Sequence, residues 1–345
     1  MVRGHKQVVS VVVGWLVTVC VLIMMIVMVG GITRLTQSGL SMVDWQPIMG
    51  MVPPLSEADW QHTFLAYQQY PEYQQVNEGM SLSAFKRIFF WEYVHRMLGR
   101  LIGLAIIIPL IVLWQLNYLT PYLCKRGVVM SILVVLQGIV GWLMVKSGLV
   151  DRPHVSHFRL AFHLGLAFWL FVYTWWTLLK TVSPSCRPVN ITMKRWAVVT
   201  LGVMCVQIVY GAFVAGLKAG LIMNTFPKMG ETWMPDIKWG SGMSWLATMV
   251  SNPVMVQWVH RFLAWVLLGL IIYGGFYGLR QVLSEFQRRS LWFLLVTVFI
   301  QFSLGVLTLI YAVPLYLAVG HQLVALVLLT AIVTVYFGSV AKYPN

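Results

Sequence analysis

The sequence predicts an all-α integral membrane protein, with eight transmembrane helices arranged as two four-helix bundles related by an axis along the membrane normal. Three observations carry this: the composition, eight apolar runs, and an internal repeat that places histidines at matching points. Of 345 residues, 59% are hydrophobic and 10% are charged, whereas a soluble domain has about 25% charged residues. That excludes a water-soluble enzyme. The 24 Lys+Arg against 10 Asp+Glu give a formal charge of +14. In a soluble chain this excess would suggest nucleic acid; here the charges sort by connection, as membrane topology requires, and nucleic acid is not an expected partner.

A spanning helix needs roughly 20 mainly apolar residues. Runs near 8–32, 92–114, 128–147, 158–179, 196–217, 254–278, 291–312 and 316–340 meet that length. The first follows Arg3 and Lys6 in the manner of a signal peptide, but it is too long and lacks a small-residue cleavage site, so it reads as a retained helix. No Arg- and Ser-rich transit segment precedes it, which favours a bacterial inner membrane over an organelle.

Lys125, Arg126, Lys180, Arg187, Lys194, Arg195, Arg280, Arg288 and Arg289 fall on one side with Arg3, Lys6 and Lys342, making that side and both termini cytoplasmic. The other side holds most acids, among them Asp44, Glu57, Asp59, Glu72, Glu78, Asp151, Glu231 and Asp236. Cys20 and Cys205 fall in spans, and Cys124 and Cys186 in cytoplasmic loops. None is placed for a periplasmic disulfide, and no CxxC or Cys/His zinc pattern occurs.

Two outer connections are long, about 34–91 and 218–253. In the first, Ser56-Glu57-Ala58-Asp59 reads as a capping box opening a short helix that Pro71 ends. Such loops either cover a site or merely connect.

The halves repeat. Glu92-Tyr93-Val94-His95-Arg96 matches Gln257-Trp258-Val259-His260-Arg261 at an offset of 165. Gln137 through Gly141 matches Gln301 through Gly305 at 164, and His163-Leu164-Gly165 matches His321-Gln322-Leu323 at 158. The expected domains are therefore 1–185 and 186–345. Because four is even, both copies share one orientation.

His95, His163, His260 and His321 each lie a few residues into an even-numbered span, within roughly 10 Å of the outer face at about 1.5 Å per residue. An intramembrane imidazole is a functional group by default. Two facing imidazoles between helices suit axial ligation of a haem iron, which pairs His95 with His163 and His260 with His321. Arg96 and Arg261 follow the first ligand of each pair, with Arg100 a turn further along. They suit either haem propionates or lipid headgroups.

At the position three before the ligand the halves differ, Glu92 against Gln257. A carboxyl there serves proton-coupled chemistry; its alternative role is helix-start stabilisation. His5, His62, His154 and His157 read as solvated surface residues. The aromatic residues and 19 methionines read as interfacial belts and interhelical packing.

These residues resemble the haem A synthase family. The resemblance rests on Gly30-Gly31-Ile32-Thr33-Arg34-Leu35-Thr36, Ser38-Gly39-Leu40-Ser41-Met42, Asp44-Trp45, Glu92 through Met97, Met144 through Leu149, and Arg159-Leu160-Ala161 with His163-Leu164. It continues in Ala219-Gly220-Leu221, Asn224 through Gly230, and His260-Arg261. Some members carry a cysteine pair in the first outer loop; this loop has none, which resembles the proteobacterial and mitochondrial branch.

The resemblance implies oxidation of a methyl group of haem O to the formyl group of haem A for haem-copper oxidase assembly, through two hydroxylations and loss of water. By position, His95 and His163 would hold the substrate haem and Glu92 would be catalytic. His260 and His321 would ligate a resident haem b, with Arg96 and Arg261 near propionates. The implied partners are haem O, the haem O-making enzyme, oxidase assembly factors and membrane lipid, with a second copy of the chain left open. The competing functions are a di-haem b electron-transfer protein oxidising quinol, which does not explain the Glu92/Gln257 difference, and a parallel-repeat transporter, which leaves four matched histidines without a purpose.

Overall fold

Helix start signals divide the apolar sequence into its elements. In a computed structural model, the described residues are 2–43, 49–150, 153–184, 186–235 and 244–340, without the side chains of 2–6 and 49. Asp44-Trp45, Asp151, Asp236, Lys342 and the side chains of Arg3, His5 and Lys6 lie outside them.

Among the described residues, eight helices are long and apolar enough to cross a membrane. They are α1 (Val2–Leu35), α4 (Leu82–Gln115), α5 (Pro121–Lys146), α6 (His157–Val182), α7 (Ile191–Gly216), α9 (Pro253–Leu279), α10 (Glu285–Ile310) and α11 (Leu315–Val340). Between them lie the shorter α2 (Glu57–Gln68), α3 (Pro71–Gln75) and α8 (Trp245–Ser251). No strand occurs among the described residues. The all-α, eight-span prediction holds.

Capping side chains fix where the spans begin. Thr120 and Asn252 accept backbone N–H bonds just before Pro121 and Pro253, whose missing N–H groups cost nothing in a first turn. Ser284 and Gln287 form a capping box on α10. These caps start helices earlier than hydropathy alone does. Cys124, Lys125 and Arg126, expected in a loop, are in the first turns of α5; Lys194 and Arg195 lie in α7, and Arg288 and Arg289 in α10. Likewise His157 opens α6 and His62 lies in α2.

The outer faces of the spans are lined by exposed apolar side chains such as Ile108, Ile111, Val135, Ile139, Val198 and Phe299, the surface hydrocarbon requires. Threonines inside the spans return their hydroxyls to the carbonyl four residues earlier, as Thr297 does to Phe293 and Thr330 to Leu326.

The chain divides into two compact units, Met1–Phe171 and Val172–Asn345, with the boundary inside α6. In the first, α4 packs on α1 and α5. In the second, α7 packs on α9 and α11, and α10 packs on the same two helices, closing a ring of four. One indole bond recurs in both units. Trp15 Nε1 donates to Ala105 O at 2.9 Å between α1 and α4, and Trp196 Nε1 donates to Leu270 O at 2.8 Å between α7 and α9.

The first outer connection contains the expected capping box, in which Ser56 and Asp59 each bond the other's backbone N–H. These bonds hold the Asp59 carboxyl below its usual pKa. Pro71 does not end α2, which stops at Gln68. It opens α3, because proline fits a first turn as well as it fits a helix end. Tyr67, Phe64, Phe85 and Phe89 form a buried aromatic cluster joining α2 to the start of α4. This cluster explains why α4 begins at Leu82, about three turns before the apolar run. The Tyr67 hydroxyl donates to Glu72 and accepts from Asn77. Burial, followed by the charge of Glu72, pushes its pKa up.

Candidate functional site

The four spanning histidines sit on α4, α6, α9 and α11, and each imidazole lies against a glycine of the span before it. A β-carbon on Gly30 or Gly141 would fall 2.9 Å from Cε1 of His95 or His163 respectively; on Gly211 it would fall 3.2 Å from Cε1 of His260, and on Gly305 2.8 Å from Cε1 of His321. Only glycine lets these rings approach so closely.

Four residues before the glycine, on the same helix face, stand Gln137, Gln207 and Gln301; in α1 the residue is Ile26. Gln137 Nε2 lies 3.2 Å from His163 Nδ1 and donates to His163 O at 3.0 Å. Gln301 Nε2 lies 3.4 Å from His321 Nε2. The Oε1 atoms of all three glutamines and the Nδ1 atoms of His95, His260 and His321 are buried without a hydrogen-bond partner.

His260 and His321 face each other with ring centroids 6.5 Å apart and planes at 82°. Two metal–imidazole bonds of about 2 Å each, with about 1 Å from nitrogen to ring centre on either side, span about 6 Å. The spacing therefore fits a metal held between the two rings. Among the described residues no group of three or more His, Cys, Asp or Glu converges as a metal site.

Glu92 is 3% exposed and bonded at both oxygens. Oε2 accepts from Ser41 N at 2.7 Å, Ser41 Oγ at 2.7 Å and Met42 N at 2.8 Å; Oε1 accepts from Arg96 Nη2 at 2.7 Å. Arg96 also donates to Met42 O at 2.7 Å. The carboxylate thus clamps the segment after α1 onto α4, one turn from His95.

In the second unit Gln257, 2% exposed, donates through Nε2 to Met223 O at 3.1 Å, and Arg261 donates to Met223 O, Thr225 O and Lys228 O. Both arginines are therefore engaged by loop carbonyls, while Arg261 Nε is buried without a partner. Arg100 Nη1 lies 3.7 Å from Met97 Sδ.

Sequence reading missed the four glycines, the glutamines' contacts and the Ser41–Met42 cradle. The signal for the first two was present as Gln-x-x-x-Gly in three spans. The cradle had none, because Met42 and Glu92 are 50 residues apart. Trp15 and Trp196, Gly30 and Gly211, and Met42 and Met223 share an offset of 181, extending the repeat to the first helix of each half.

These features define a polytopic helical membrane protein with four half-buried imidazoles inside its spans. A family profile described as cytochrome oxidase assembly protein matches residues 13–333. Three similar proteins are heme A synthases. That of Flavobacterium psychrophilum is 45% identical over 91% of this chain and 94% of its own length. That of Nitrosospira multiformis is 42% identical over 92% and 90%, and that of Rickettsia bellii 42% over 93% and 96%. The chain belongs to the haem A synthase family.

Proposed function

We propose that this protein is an oxidoreductase that converts the methyl group of haem O to the formyl group of haem A, using a resident haem b. His95 and His163, in a substrate half spanning 1–185, hold haem O. His260 and His321, in a half spanning 186–345, ligate haem b, which supplies electron transfer when bound. The observation that carries this reading is the broken symmetry between the two halves of the repeat: Glu92 beside His95, Gln257 beside His260.

Glu92 is the acid–base residue of the first half. With four donors on its oxygens, it can take up a proton only by releasing one of them. The Ser41 hydroxyl is the partner that rotates freely enough to turn away, and releasing its 2.7 Å bond leaves Glu92 Oε2 open to a proton. Arg96 keeps the carboxylate oriented and, with Arg261, is the candidate for propionate binding. Gln257 offers no such group, so the second half holds its haem without proton chemistry.

We place the chain in a bacterial inner membrane with both termini cytoplasmic. Its substrate comes from the enzyme that makes haem O, and its product goes to oxidase assembly factors. The test is mass analysis of haem extracted from purified protein. Haem O or haem A beside haem b supports synthesis. Haem b alone, in two equivalents, would instead support a di-haem electron-transfer protein.

A further inference from the structure

We propose that Arg34 is the counter-charge for a carboxylate of the substrate haem, and that it serves the first half alone, because the matching place in the second half is Ala215. The proposal rests on the assignment of His95 and His163 to the substrate and extends it to which edge of that substrate faces outward.

Contacts between α1 and α4 set the level of Arg34. Ile26 lies beside Gly99, Gly30 lies against the His95 ring, and the Thr33 hydroxyl donates to Trp91 O at 3.2 Å. Steps forward along α1 therefore run backward along α4, from Gly99 past His95 to Trp91. Arg34 follows Gly30 by four residues, so it stands on the helix face that meets the ring, one turn and about 6 Å nearer the Glu92 end of α4.

The Arg34 side chain is half-buried, and among the described residues its guanidinium makes no hydrogen bond or ion pair. Closing the end of α1 does not occupy it. Ile32 O, Thr33 O and Arg34 O already accept from Thr36 N, Ser38 N and Gln37 N, so the last carbonyls have their donors. Arg96, which follows the histidine on α4, is neutralised by Glu92 at 2.7 Å and also holds Met42 O. An anionic group entering here meets Arg34 as an uncompensated positive charge.

Haem O carries two carboxylates and an isoprenoid tail. A carboxylate is costly in hydrocarbon unless it is paired, so the substrate seats its carboxylates toward the mouth of the bundle and its tail toward lipid. A guanidinium offers a planar fork of donors that matches a carboxylate. In the second half the corresponding stretch is apolar: Thr33, Arg34, Thr36, Ser38 and Ser41 are replaced by Val214, Ala215, Leu217, Ala219 and Ile222 at the offset of 181. The polar rim and its charge accompany Glu92 and not Gln257, in the half where a molecule must be aligned for reaction.

The test uses purified protein carrying its resident haem, kept anaerobic, titrated with ferric haem O or with its dimethyl ester and followed by difference spectra. Losing one charge-assisted hydrogen bond weakens binding about 10- to 100-fold. The parent should favour the free acid over the ester by a factor of that size. Arg34→Met should lose most of this preference, binding the acid more weakly and the ester as before.

Equal binding of acid and ester by the parent would overturn the proposal, as would an undiminished preference in Arg34→Met. If that variant does not accumulate, Arg34→Gln, neutral but still polar, takes its place under the same reading. The histidine variants separate the layers. If His95→Ala and His163→Ala bind added haem O with the parent's affinity and spectrum, the ligand assignment fails and this inference with it. If they lose that binding while Arg34→Met keeps the full acid preference, only the role of Arg34 fails.

Discussion

The segment after α1 and the segment after α7 are docked by matching side chains with opposite polarity. In both, an arginine one residue past the spanning histidine grips a methionine carbonyl, Arg96 on Met42 and Arg261 on Met223. Beside it the first unit turns backbone N–H groups toward a carboxylate, whereas the second turns a carbonyl toward an amide. The Glu92/Gln257 difference is therefore built into the backbone of each loop. A carboxylate opposite Met223 O would face an acceptor, and an amide opposite Ser41 and Met42 would put N–H against N–H or against Arg96.

The largest effects should separate the two histidine pairs. His260→Ala or His321→Ala should remove haem b and lower thermal stability, by about 2.7 kcal/mol where free haem stands at 100 times its dissociation constant. His95→Ala or His163→Ala should abolish conversion yet leave the haem b spectrum intact. Pyridine haemochrome spectra with haem extraction measure both, and equal losses from the two pairs would erase the distinction between halves.

Next in size is Glu92→Gln. Haem A formation should fall about 10²- to 10⁴-fold if the carboxyl moves a proton. Breaking the buried pair with Arg96 also costs about 3–5 kcal/mol locally, so the first unit should unfold at a lower temperature. The reverse change, Gln257→Glu, should destabilise the second unit and create no second reactive site. Near-normal haem A from Glu92→Gln in cells otherwise lacking the activity would reduce Glu92 to a loop clamp.

Smaller effects should follow the glycine contacts. Gly305→Ala introduces a methyl 2.8 Å from the His321 ring and should cost about 1–3 kcal/mol and weaken haem b. Gly211→Ala, with 3.2 Å available, should cost less. Equal costs would show that the rings yield freely and that the glycines do not set their position.

The smallest concerns α2, where Ser56→Ala should cost about 1 kcal/mol of local stability, read as faster hydrogen exchange there. Asp59 has a lowered pKa in the folded protein, so its contribution is complete above the ordinary aspartate value near 4. It should fade as pH falls through the lower folded value, and Asp59→Asn should flatten that dependence.

The eight spans were legible because hydrocarbon permits little else, and the repeat singled out the four spanning histidines. Helix starts were misplaced where a cap lies outside the apolar run: Thr120 and Pro121 begin α5 ahead of its hydrophobic stretch, and an aromatic cluster rather than lipid supports the first turns of α4. Pro71 was ambiguous because one residue type serves at helix starts and after helix ends. At the site, the sequence showed that Glu92 and Gln257 differ but not what they touch. Their partners are backbone groups 50 and 34 residues away, and a backbone amide carries no side-chain signature.

The indole bonds of Trp15 and Trp196 have a mechanical consequence. Each helix pair is pinned at two heights, by the indole to a carbonyl deep in the span and by an arginine to the loop at its mouth. Axial slippage by one turn, about 5.4 Å, would break both ties and carry the glycine away from its ring. A bilayer thinner or thicker than the spans is then met by tilting the pair as one body, and the imidazole keeps its height on the neighbouring helix whatever the lipid.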